Sequence, residues 1–300
     1  MTIYETVTTR ILNQLAAGQV PWHKTWKTGL PKSLTTGKEY RGVNLLVLGS
    51  AEYTSRYWLT FREAQRQGGH VRKGERATPV IYWKWRTPEE LAQRAEQTGK
   101  ETVSPCTPFV SAVFNFDQVE GVARPADDLP PRPEDRLQVA DQMLEVMPDK
   151  PEIVHTLTAQ PAYSPSRDRI TLPHLSQFES ADEYFGTLYH ELVHSTGAPR
   201  RLNRFAAAEG DRVEKYSFEE LVAEFGAAFL CGFAGIANQH TEALQASYIE
   251  GWARVFQQDN RVLVRAASAA QRAADYIRGK IPAAAAEQPA AAAEAVSVQG

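Results

Sequence analysis

Apolar residues recur at Ile3, Val7, Ile11 and Leu15, a spacing that predicts an amphipathic helix ending near Gly18. A loop, residues 21–26, follows. Residues 45–48 form a short apolar run, residues 59–66 read as helical, and Gly68-Gly69 reads as a turn. Two runs rich in β-branched and aromatic residues, 80–85 and 109–116, predict strands, with a charged helical insert at 88–97 between them. The stretch 121–136 combines four prolines with mixed charge and no apolar period, which is linker composition; the boundary falls near Ala126.

Beyond it, residues 137–147 predict an amphipathic helix and residues 169–173 a short strand or sheet edge. Ser180 followed by Glu183 has capping-box spacing, opening a helix through Tyr184, Leu188, Leu192 and Val193 that stops at Gly197 and Pro199. A second helix is expected to start at Ser217, with Glu220 at the matching position, and to run through Leu221, Phe225 and Phe229 to Gly232. Residues 241–257 and 261–277 predict two more, and the Ala-rich tail from Pro282 predicts disorder. The fold class is α+β in two domains. Residues 1–125 form a small mixed α/β domain and 126–136 a linker; 137–281 form a mainly helical domain and 282–300 a tail.

The 300 residues are 43% hydrophobic and 23% charged, which excludes a chain disordered throughout. No apolar run approaches the roughly 18 residues of a spanning helix, and the N-terminus lacks a signal-type stretch. A cytoplasmic protein with no membrane partner is therefore expected. Two cysteines, Cys106 and Cys231, stand far apart in unrelated contexts, so a bound metal must use histidines and carboxylates.

Charge separates the halves. Residues 1–125 hold 17 Lys+Arg against 11 Asp+Glu, and the rest hold 16 against 25. Within residues 10–86 the imbalance is 14 basic to 4 acidic, and five of the six tryptophans lie there. Interleaved cations and aromatics suit single-stranded nucleic acid, in which phosphates meet charge and exposed bases stack on rings. The contacts are expected among Trp22, Trp26, Arg41, Asn44, Trp58, Arg72, Lys73 and Lys84. Some of these aromatics must be core, Trp58 foremost.

His190-Glu191-Leu192-Val193-His194 is an HExxH sequence in mid-helix. Residues four apart share a helix face, so both imidazoles can hold one metal, with Glu191 placed as general base toward a water. A catalytic site needs a third ligand, and Glu220 and Glu224 lie four apart on the next helix. That pair resembles the gluzincin metallopeptidases, and the resemblance makes Glu220 the ligand and Glu224 the residue that orients a ligand histidine. Alternatively Glu220 completes the capping box with Ser217, and Glu224 is the ligand. Two histidines and a carboxylate suit Zn²⁺ and also accept Mn²⁺. His155, His174 and His240 stand alone and read as surface histidines.

Several ordered blocks together resemble one family, the ArdC-type antirestriction proteins of conjugative plasmids, related to the N-terminal part of plasmid TraC primases. The blocks are PWHKTW (21–26), GKEYRGVNLLVL (37–48), the segment 57–83 and VFNFDQVEG (113–121). In the second half they are DRITLP (168–173), TLYHELVHSTGAPRRLNR (187–204), EELVAEFGAAFLC (219–231), YIEGWARVFQQD and AASAAQRAADYI. The resemblance implies an N-terminal domain that binds single-stranded DNA and a C-terminal zincin-like metallopeptidase domain. It also implies protection of incoming plasmid DNA during conjugation, with restriction-system proteins or a protein substrate as further partners. Two alternatives stay open. One is a metallopeptidase whose N-terminal domain only localises it on DNA; the other is a nucleic-acid module with a structural metal.

Overall fold

The computed structural model describes residues 2–23, 29–99, 103, 105–126, 133–157, 160–207, 212–238 and 246–280. Trp26, His240 and the tail 282–300 lie outside these residues.

Helix α1 (Ile3–Ala16) opens with a capping box in which Thr2 Oγ1 accepts from Glu5 N–H and the Glu5 carboxylate accepts from Thr2 N–H; it buries Val7, Ile11 and Leu15. The apolar run 45–48 sits in helix α2 (Val43–Gly49), buried on every side. A helix enclosed all round has no amphipathic period, which is why the run carried no element signal. Residues 59–66 divide at Thr60: Leu59 ends strand β2 (Tyr57–Leu59), and Thr60 caps helix α3 (Phe61–Arg66). Strands β1 (Lys32–Ser33), β2, β4 (Thr78–Trp85) and β5 (Cys106–Asn115) form one sheet in the order β1-β2-β5-β4, with β1 parallel to β2 and the other pairs antiparallel. Strands β3 (His70–Val71) and β6 (Val119–Glu120) pair separately, and helix α4 (Pro88–Thr98) joins β4 to β5 with no buried residue.

In the second half, α5 (Pro133–Glu145) precedes a sheet of β7 (Glu152–His155), β9 (Arg169–Leu172) and β8 (Ala162–Ser164). β9 is the central strand rather than an edge, because Ile170 and Leu172 point into the core and both of its flanks are paired. Then come α6 (Ala181–Ser195), α7 (Arg204–Ala207), α8 (Arg212–Ala234), α9 (Ala246–Gln258) and α10 (Val262–Ile277). The expected start of α8 at Ser217 is corrected: five helical residues precede Ser217, so it has no free first-turn amides to cap. Helices α6 and α8 meet at Gly226, where a Cβ would lie 2.6 Å from Val193 Cγ2. The missing side chain lets the two backbones close together.

The two halves share one core, in which Ile11, Leu46 and Trp58 belong to the same buried cluster as Leu188, Phe225 and Tyr276. Polar links cross the same seam. Thr8 Oγ1 donates to Asn260 O at 3.0 Å, Gly42 N–H donates to Gln271 Oε1 at 3.0 Å, and Arg41 pairs with Asp275. Among the described residues, no helix is long and apolar enough to cross a membrane.

Asp117 ties the loop before β2 to the end of β5, accepting from Thr54 N–H (2.7 Å), Thr54 Oγ1 (2.8 Å), Ser55 N–H (3.0 Å) and Arg124 (3.2 Å). Burial alone would raise its pKa, but these donors hold the carboxyl below its ordinary value. Asp117→Ala should therefore cost about 1–3 kcal/mol in urea melts at neutral pH. A depressed carboxyl contributes fully above its unfolded pKa of about 3.9 and loses that contribution as pH falls through the native value. The gap between variant and wild type should accordingly shrink only in acid; a gap independent of pH would contradict this role.

Candidate metal centre and nucleic-acid face

Ser180 Oγ accepts from Glu183 N–H at 3.1 Å to start α6, which carries His190 and His194 one turn apart. Across the Val193–Gly226 contact, α8 presents Glu219, Glu220 and Glu224. The two Nε2 atoms lie 3.0 Å apart, and Glu220 oxygens lie 3.6 Å from each. Ligands about 2.0–2.2 Å from one tetrahedral ion stand about 3.3–3.6 Å from each other; the Glu220 separations match that spacing, and the two imidazoles, at 3.0 Å, need to open by a few tenths of an ångström to take a single divalent ion. His190, His194 and Glu220 offer ligand atoms all within 4.8 Å of one another.

Both imidazoles turn their other nitrogen to a carboxylate. His190 Nδ1 lies 3.3 Å from Glu224 Oε1, and His194 Nδ1 lies 3.4 Å from Glu219 Oε1. Glu219 is gripped by Arg204 at 2.6 and 3.1 Å, while the same guanidinium donates to Val193 O and Thr196 Oγ1 at the end of α6. Burial pushes the Glu219 carboxyl up, but Arg204 and His194 hold it below its usual range. At His190, burial acts against the charged form, yet Glu220, Glu224 and Glu191 outweigh it and raise the pKa to about 10. The centre is thus a place of negative potential, suited to a cation. Glu191, beside His190 in the chain, is 7% exposed.

Glu220 is free of any cap and faces both histidines, whereas Glu224 lies behind His190, where His23 Nε2 meets its other oxygen at 3.0 Å. Sequence reasoning missed His23, Glu219 and Arg204. None has a spacing that ties it to the HExxH helix, although all three lie in blocks quoted for the family resemblance, His23 in 21–26, Arg204 in 187–204 and Glu219 in 219–231. Of the histidines expected at the surface, His155 is half-buried with Nε2 3.0 Å from Tyr184 Oη, and His174 is exposed.

The expected nucleic-acid contacts scatter. Trp22 is fully buried, edge-on to Phe225 (4.8 Å) and Trp252 (5.1 Å), and so cannot stack on a base. Asn44 is buried too; its amide spans Ile81, donating to the carbonyl at 2.7 Å and accepting from the N–H at 2.8 Å. Trp58 is core, as expected of one of these aromatics, packed edge-on against Tyr53. Arg41 pairs with Asp275 and Arg72 with Glu75 (2.8 Å), while Lys73 and Lys84 are exposed with no carboxylate partner among the described residues.

Exposed rings occur instead where β4 and β5 run past the core. Tyr82 (37% exposed) and Phe109 (47%) are register partners stacked at 5.7 Å, and Trp85 is 60% exposed. Lys84 shares the Tyr82 face by the period-two alternation of a strand. The tryptophan count drew attention to this region, but only the exposure distinguishes these rings from core ones.

Fold and cluster together define a protein whose C-terminal half is a zincin-like metallopeptidase domain, which residues 140–269 match. Residues 1–114 match the N-terminal domain of the anti-restriction factor ArdC. Antirestriction ArdC of the R388 plasmid aligns with this chain in its Mn(II)-bound structure at TM-score 0.73 and 31% identity, covering 93% of this chain and 98% of that one. Its metal-free structure aligns at 0.74 and 32%, covering 95% and 98%. The chain belongs to the ArdC family of antirestriction proteins. It is also 35% identical to an Escherichia coli DNA primase TraC over 91% of its own length but only 27% of the primase, so it spans about a quarter of that relative. An uncharacterized protein, y4eC of Sinorhizobium fredii (strain NBRC 101917 / NGR234), is 31% identical over 93% of this chain and 92% of that protein.

Proposed function

We propose that this antirestriction protein binds single-stranded DNA through its N-terminal half and carries a divalent-metal peptidase centre in its C-terminal half, protecting plasmid DNA as it enters a restricting recipient during conjugation. The observation that carries the reading is the convergence of His190, His194 and Glu220, with each distal imidazole nitrogen backed by a carboxylate. These three residues would hold the ion, either Zn²⁺ or Mn²⁺; one structure of the R388 protein is Mn(II)-bound. When bound, it supplies Lewis acidity toward a peptide carbonyl and an acidified water. Glu191 takes up the proton of the attacking water and passes it to the leaving amine. Glu224 and Glu219 fix the tautomers of His190 and His194, and Arg204 keeps Glu219 charged.

The proposed DNA face is the outer part of the β4–β5 ribbon on the side of Tyr82 and Phe109, which serve as stacking rings, with Lys84 on the same side for phosphate; Trp85 lies on the opposite side of the ribbon, and Lys73 adds charge nearby in the sequence. In the full chain, alanine at each ring should weaken oligo(dT) binding by about 1–3 kcal/mol without shifting the thermal transition. Lys84→Ala should lower the salt slope of binding by about 0.7, the value for one single-strand phosphate contact. By contrast Trp22→Ala, in the core, should destabilise the fold by about 3–5 kcal/mol. In plasmid transfer, ribbon variants should lose protection in restricting recipients and transfer normally into non-restricting ones. Folded ribbon variants that bind oligo(dT) like wild type would place the DNA face elsewhere.

A further inference from the structure

His23 belongs to the N-terminal half, 201 residues before Glu224 in the chain, yet its Nε2 lies 3.0 Å from Glu224 Oε2. Both side chains are nearly enclosed, at 8% and 4% exposure. The short helical turn Pro21–His23 is held in place by its neighbour: the Trp22 ring fills a slot between Phe225 and Trp252, and the Asn238 amide donates to Trp22 O at 3.1 Å. Phe225 follows Glu224 on α8, so the insertion that buries Trp22 also delivers His23 to the carboxylate.

From this we infer that His23 is a positioning residue of the metal centre, and that the centre is completed only when the N-terminal half is docked. The inference rests on the reading of His190, His194 and Glu220 as ligands. Glu224 has two oxygens with two jobs: Oε2 accepts from His23, and Oε1 faces His190 Nδ1 at 3.3 Å. An enclosed carboxylate that loses one of its donors is no longer held in a single orientation and rotates toward the donors that remain. His190 then loses the partner that fixes its tautomer and ring angle, and its Nε2 no longer points steadily at the ion. The PWH segment thus serves the peptidase centre, although its residues lie in the half that the charge pattern assigns to DNA.

The test uses the full-length chain and Co²⁺ as the probe, with affinity read from the visible spectrum in competition with a chelator. His23→Leu should lower Co²⁺ affinity by about 10–100-fold, the usual effect of removing a partner behind a ligand, while the metal-free unfolding curve stays as in wild type. His23→Gln, which presents an N–H₂ donor to Glu224, should recover most of the loss. In a Glu224→Gln background, His23→Leu should have little further effect, because the two residues act in series. Should His23→Leu fail to fold, His23→Asn, whose amide is too short to reach Glu224, takes its place with the same expected loss. Unchanged Co²⁺ affinity, or an equal loss in both backgrounds, would overturn the inference and leave His23 a packing residue. A wild-type chain that binds no Co²⁺ would instead overturn the ligand assignment itself.

Discussion

Glu191→Gln should leave the divalent ion in place and lower peptide hydrolysis by about 10²–10⁴-fold, the range for losing a positioned general base. The two amino acids have the same shape and differ in the ability to take a proton. Glu191 is buried beside His190 and is absent from the cluster of convergent ligand atoms, so its removal does not subtract a ligand. His190→Ala removes one of three converging atoms and should empty the site. The measurement is metal content by elemental analysis together with cleavage of a disordered protein such as casein, with and without single-stranded DNA. If the ion is retained in Glu191→Gln and every activity, plasmid protection included, matches wild type, the metal is structural and the peptidase reading fails.

Breaking the buried Arg201–Asp168 pair should destabilise the protein by about 3–5 kcal/mol, the cost of leaving a buried charge without its partner. Arg201 is 1% exposed. Its guanidinium grips Asp168 with two bonds (2.8 and 2.9 Å) and donates to Asp149 O (2.8 Å) and Ser195 O (3.0 Å). The carboxylate also accepts from Tyr163 Oη at 2.7 Å and meets Arg200. This network anchors the end of α6, just past His194, to the loops flanking the β7–β9–β8 sheet. Asp168 and Asp149 both adopt left-handed backbone (φ 48° and 46°). In thermal melts Asp168→Ala should lower the midpoint by about 6–20 °C, taking 2–4 °C per kcal/mol for a chain of this size. Replacing both partners together with apolar residues should recover part of the loss. A fall below about 1 kcal/mol would mean that the pair is solvated and that α6 is held by its apolar face.

What the sequence determined by itself is what depends on near neighbours. The four-residue spacing of Ile3, Val7, Ile11 and Leu15 needs only a helix to align those side chains, and α1 buries Val7, Ile11 and Leu15. The spacing of His190 and His194 places both on one helix face for the same reason, and Ser180 starts that helix by a bond three residues long. Strands β4 and β5 were legible from β-branched and aromatic runs, and the Gly68-Gly69 turn from a glycine that takes positive φ (80°).

Tertiary structure decided what depends on distant partners. A tryptophan stacks on DNA or fills a core according to what faces it, and the residues facing Trp22 lie some two hundred positions later. Its pattern in the chain is the same in either case. Ser217 and Glu220 have the spacing of a helix start but sit inside α8, because i, i+3 pairs are neighbours anywhere along a helix. Which of Glu219, Glu220 and Glu224 faces a histidine, and through which nitrogen, follows from the angle at which α8 crosses α6 over Gly226. That angle, and the reach of His23 into the other half, are set by close packing of surfaces that become neighbours only when the chain folds.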